Sequence, residues 1–144
     1  MIGLIRRYQS LDGAGRRLVI EAAFLMAFVW LGLRIVHYAR LRRLLDRYAA
    51  ARSTRVPTER IRRAIAAVAR GRPSATCLVQ ALAADVMLRR RGVACELCIG
   101  VRILPDTRMP LEAHAWVECD GAVAVGAIEH LSTFHVLTPA RRLP

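Results

Sequence analysis

The sequence predicts an α+β protein, and three observations carry that prediction. Apolar residues recur at helical spacing as far as Gly92, apolar and polar residues alternate from Val93 to Ile103, and Asp120-Gly121 joins two strand-like runs. Helices first and an antiparallel sheet afterwards is the α+β order, not the alternation of a parallel-sheet fold. The 144 residues suffice for one domain, and a 55% hydrophobic composition opposes extended disorder. A change of texture near Pro73 divides the chain into a basic, partly hydrophobic helical lead-in over 1–72 and a core over 73–144.

The first helical stretch, Leu18–Val36, is apolar except for Glu21 and Arg34. Its uninterrupted apolar part, Ala22 to Leu33, falls short of the roughly 20 residues a bilayer span needs. A helix packed in a core or on a partner is therefore favoured over a membrane span. The pattern runs on through RIVHYARLRRLLDRYAAAR, where Ile35, Tyr38, Leu41, Leu45 and Tyr48 keep helical spacing among arginines. Such a basic amphipathic helix suits either an anionic membrane surface or the solvated face of a bundle. STRVP at 53–57 interrupts it, Thr58–Arg70 reads as another helix, and Ser74 or Thr76 can cap a helix through CLVQALAADVMLRRR. Arg89, Arg90 and Arg91 complement its negative C-terminal end, and Gly92 stops it.

Two strands follow, with Cys95, Leu97, Ile99 and Val101 on the core face of the first and Ala113, Ala115, Val117 and Cys119 on that of the second. A loop with Pro105, Asp106 and Pro110 separates them, and AVAVGAI after Asp120-Gly121 is the returning hairpin strand.

All 23 basic residues are arginine and the net charge is +12. Sixteen arginines stand in 1–72 against four acids, whereas the second half is balanced, so the lead-in is the surface for an acidic partner or an anionic membrane. No nucleic-acid motif or interleaved aromatics accompany that charge, and nucleic acid is not expected as a partner. The opening MIGLIRRYQSLDG has no secretory pattern, so a cytoplasmic protein is expected, at most peripheral to the membrane's inner face, with free thiols at Cys77, Cys95, Cys98 and Cys119.

Cys77 opens a predicted helix, where backbone N–H groups and the macrodipole stabilise a thiolate. His114, on the polar face of a predicted strand, is the candidate base. A third member would orient the imidazole. With Asp120-Gly121 as the loop, Cys119 pairs with Ala122 and His114 falls opposite Ala127, which cannot serve; Glu129, two residues on, reaches diagonally and is nominated. Glu112 competes for that role, and Ser74 and Gln80 flank the nucleophile as polar helpers or as ordinary cap and helix positions. Cys95-x-x-Cys98 has the spacing of a zinc half-site, but residues three apart in a strand face opposite ways, so no metal is assigned. Trp116 is a candidate cleft wall or packing residue, and His130 and His135 follow no usable pattern.

The segments CLVQALAADVMLRRRGVACELCIGVR and EAHAWVECDG resemble the transglutaminase-like core of lasso-peptide leader peptidases over about residues 70–137. The resemblance implies a nucleophile helix packed on an antiparallel sheet, as in transglutaminases and papain-like proteins. It also implies a cofactor-free cysteine peptidase that removes the leader from a ribosomally made lasso precursor, with Cys77 as nucleophile and His114 as base then acid. The partners implied are the leader peptide, a separate leader-recognition protein and the lasso cyclase. Ala127 departs from the family at its carboxylate position. Other readings are a different acyl transfer on the same fold, or a non-enzymatic membrane-associated adaptor using Leu18–Tyr48.

Overall fold

Asp12 starts the first helix: its carboxylate accepts from the Gly15 N–H at 2.7 Å and also binds Arg60. This is seen in the computed structural model, which describes residues 12–105, 108 and 110–139. The expectations for the opening residues 1–11 and for Asp106 fall outside the described residues.

Helix α1 (Gly13–Ile35) buries Leu18, Ala22, Leu25, Met26 and Val29. The sequence pattern runs this helix straight into the next, but Val36 and His37 are extended and α2 (Tyr38–Ala50) folds back. Gly32 permits the close return, since a Cβ there would stand 2.6 Å from Leu41 Cδ1. Helix α3 (Thr58–Ala69) and helix α4 (Cys77–Arg90) stand where capping and glycine signals put them. Thr76 is the α4 cap, its Oγ1 accepting from Val79 N–H at 3.4 Å, and Gly92 ends the turn at φ +76°.

α4 is the central element, with every residue from Ala81 to Leu88 buried. The other helices pack around it and the sheet covers its remaining side, so it shows no single apolar stripe. Its terminal arginines do more than complement the helix end. Arg91, itself buried, binds Glu21 of α1 at 2.6 Å, and Arg89 binds Asp46 of α2 and Asp85.

The sheet has the order β3-β2-β1-β4 and is antiparallel throughout, with β1 Cys95–Ile103, β2 Leu111–Cys119, β3 Ala122–Val125 and β4 His135–Pro139. The α+β expectation is met. Asp120 and Gly121, at φ 52° and 78°, make the predicted hairpin, and Cys119 does face Ala122. The third strand departs from expectation: a bulge shifts the register between Val117 and Glu118, and β3 ends at Val125. Ala127 therefore has no ladder position opposite His114. β4, reached through a 3-10 turn at Leu131–Thr133, had no clear signal in the sequence.

The expectation of four free thiols is corrected as well. Cys95 and Cys119 stand opposite each other across β1 and β2, with Cα atoms 4.3 Å apart, and form a disulfide; Cys77 and Cys98 are free. The cause is register: both occupy the core face at one end of the same strand pair. Cys98 faces the other way and packs with Trp116 and Phe134 in a second small cluster. The main cluster runs from Leu18 to Val125 and joins buried residues of 1–72 to those of 73–144.

Candidate active site

Cys77 is the first residue of α4, half-buried at the margin of the main core. Ser74 is exposed and does not cap the helix. Gln80 turns back one helical turn, its amide donating to the Ala75 carbonyl at 2.7 Å, and so braces the loop that presents Cys77. A shallow cleft adjoins this loop, lined by Met26, Trp30, Val68, Arg72, Ser74 and Val79.

His114 is half-buried in β2 opposite Gly100 of β1. Its ring stacks beside Trp116 with centroids 6.1 Å apart and lies 5.8 Å from Phe134. Its Nε2 lies 2.8 Å from the Gly126 carbonyl oxygen. A carbonyl only accepts, so this contact is a hydrogen bond in the form whose Nε2 carries the hydrogen; in the neutral ring that form leaves Nδ1 as the acceptor. Gly126 sits just past β3 at φ +90°, a conformation disfavoured for side-chain-bearing residues. A Cβ there would stand 2.9 Å from both the Ala115 carbonyl oxygen and Trp116 Cβ, so glycine alone brings this backbone so close to β2.

The carboxylates named from the sequence are elsewhere. Glu112 is engaged by its cross-strand neighbour Arg102 at 2.6 Å. Glu129 is exposed in the turn after β3. Among the described residues no hydrogen bond joins His114 to Glu129, to Glu112 or to Cys77. Along β2, Ala115 and Val117 belong to the main core, while His114 and Trp116 face the second cluster. Trp116 is anchored there by its indole N–H, which donates to Glu118 at 2.7 Å. Sequence reasoning gave Gly126 no role; its signal was only a glycine among small residues after a strand.

The transglutaminase-like superfamily model matches residues 18–138, which take in most of α1, the other three helices and nearly all of the sheet. The chain belongs to the transglutaminase-like superfamily. That superfamily is one of Cys–His hydrolases and acyl transferases, and the match includes both Cys77 and His114. No curated protein and no solved structure matches the chain.

Proposed function

We propose that this transglutaminase-like protein is a cysteine peptidase that removes the leader from a ribosomally made lasso precursor peptide. The observation that carries the reading is the superfamily match together with a half-buried free cysteine as the first residue of the central helix. The superfamily match, which takes in both residues, supports Cys77 and His114 as the working pair. Helix length bears on their level along the sheet, while Cys77 lies at the main cluster and His114 faces the second. The short 91–94 connection sends β1 back along α4, and the 14 residues of α4 span about 20 Å, equal to about six residues of strand. Counted from Cys95, that distance ends near Val101, beside Gly100 and its partner His114. Ile103 and Leu111 at that end of the sheet are exposed apolar side chains.

The steps follow the pair's chemistry. His114 Nδ1 takes the Cys77 proton, sulfur attacks the scissile carbonyl carbon, and the tetrahedral adduct collapses as the imidazolium protonates the departing amine. Water, deprotonated by the same imidazole, then releases the leader carboxylate and restores the thiol. The Cys77 N–H is the proposed oxyanion donor, and such a donor is typically worth about 3 kcal/mol. A separate leader-recognition protein and the cyclase are the proposed partners, with the basic lead-in as the docking surface. Glu129, the carboxylate nominated from the sequence, is exposed in the turn after β3, and among the described residues no hydrogen bond joins it to His114.

Incubation with a lasso-type precursor and its recognition protein, read as intact peptide masses, tests the reading. Wild type should yield separate leader and core masses, and Cys77→Ala neither. A joined or deamidated product would mean another acyl transfer on this fold. Intact precursor from both proteins, with the partners shown to be bound, would sink the peptidase.

A second reading rests on α1. Ile20, Phe24, Phe28, Leu31 and Ile35 form one exposed apolar stripe, with Phe24 74% and Ile35 70% accessible. Exposed Arg16, Arg17 and Arg34 stand at its two ends. The helix is long and apolar enough to cross a membrane, but its other face is committed to the core, so the stripe suits the surface of an anionic bilayer. Wild type should sediment with phosphatidylglycerol vesicles at low salt, and Phe24→Ser with Ile35→Ser should remain in the supernatant. Failure of wild type to bind such vesicles removes the membrane reading.

A further inference from the structure

We infer that the backbone carbonyl of Gly126 is the third member of the catalytic constellation, holding His114 in the tautomer whose Nδ1 is free to accept a proton. The inference rests on the peptidase reading for its catalytic meaning, but its geometry stands on the resting protein.

An orienting group in such a constellation has two tasks: accepting a hydrogen bond from one ring nitrogen and so leaving the other as the base. A carboxylate does both and adds charge, but an amide carbonyl also suffices, as in the Cys-His-Asn arrangement. The Gly126 carbonyl is chemically that amide group, supplied by the main chain. It meets His114 Nε2 at 2.8 Å, whereas Glu112 is occupied by Arg102 and Glu129 is exposed.

Three features hold the carbonyl there. β3 ends at Val125, just past the bulge, and the ladder pairs no residue beyond it. Gly126 turns at φ +90° against Ala115 and Trp116, where any Cβ would collide. Trp116 and Phe134 then flank the imidazole and limit its rotation. Gly100 helps in turn, since a Cβ there would stand 2.8 Å from the Trp116 ring. Gly126 is thus a positioning residue: it acts on the ring and need not touch the peptide. Ala127 leaves no deficit, because the neighbouring main chain already serves.

The test is the nitrogen-15 spectrum of the neutral His114 ring in the full chain, recorded without peptide. One fixed tautomer with hydrogen on Nε2 is expected; hydrogen on Nδ1, or an even mixture, overturns the inference. Glu129→Gln should leave that spectrum unchanged, and a ring that loses its tautomer in this variant would equally overturn it. Gly126→Ala should give a mixed ring and slow iodoacetamide labelling of Cys77 by about tenfold or more. The label reports on Cys77 because Cys95 and Cys119 are bonded and burial pushes the Cys98 thiol up to about 11. Since no cleavage is read, a chain that cuts nothing can still show the fixed ring, so this inference and the peptidase reading fail separately.

Discussion

Asp85→Ala is expected to destabilise the protein by about 3 kcal/mol, which for a chain of this size lowers Tm by roughly 10 °C. Asp85 is only 1% exposed in the middle of the central helix. It accepts from Arg89 Nε at 3.1 Å and Nη2 at 2.8 Å, and Arg42 Nη1 of α2 lies 2.9 Å away. Without the carboxylate, two guanidiniums face a dry space, and breaking a buried pair commonly costs about 3–5 kcal/mol. The lower end applies because Asp46 still pairs with both, at 3.3 Å from Arg42 and 2.9 Å from Arg89. Asp85→Asn keeps the shape and one acceptor oxygen, so its cost should be about half as large. Urea unfolding with an unchanged slope is the measurement. A loss below about 0.5 kcal/mol would mean that Asp46 alone neutralises the cluster. Glu59 is the contrast: Arg62 and Arg63 hold its carboxyl down at about 2, yet the trio is solvated and ties no second element to the core.

The same residues show what a sequence can and cannot disclose. The ends of α3 and α4, the whole of β2 and its turn were legible because their signals are local: Ser74 or Thr76 as cap, of which Thr76 serves, Gly92 as stop, Asp120-Gly121 as turn. The break at Val36–His37 was not, because neither proline nor glycine marks it and the apolar rhythm continues across it. Its cause is tertiary, the seating of Leu41 on Gly32. The Cys95–Cys119 pair and the bulge opposite Val117 likewise depend on strand register, which alternation within one strand does not determine. At the site, capping by Ser74 or Thr76 was enough to put Cys77 in the first turn of its helix. The partner of His114 could not be placed, since a main-chain carbonyl carries no residue type to read, and the search for a carboxylate went past Gly126 to Glu129.

His114→Gln is expected to lower the rate of leader cleavage by about 10²–10⁴-fold with little change in stability. Glutamine is chosen because its side-chain amide can still donate to the Gly126 carbonyl, which keeps the loop after β3 in place. What it lacks is a nitrogen able to take the Cys77 proton and return it to the leaving amine. A merely structural histidine would tolerate this change, since the hydrogen bond and much of the contact with Trp116 survive. The loss should fall on kcat, with KM for the precursor nearly unchanged, because His114 is assigned to proton transfer and not to leader binding. Single-turnover cleavage alongside a urea titration separates the two outcomes. If cleavage persists at wild-type rate in a folded His114→Gln protein, the base lies elsewhere and the Cys77–His114 pair must be abandoned. If cleavage and stability fall together, His114 supports the sheet through Gly126 and its catalytic assignment loses its ground.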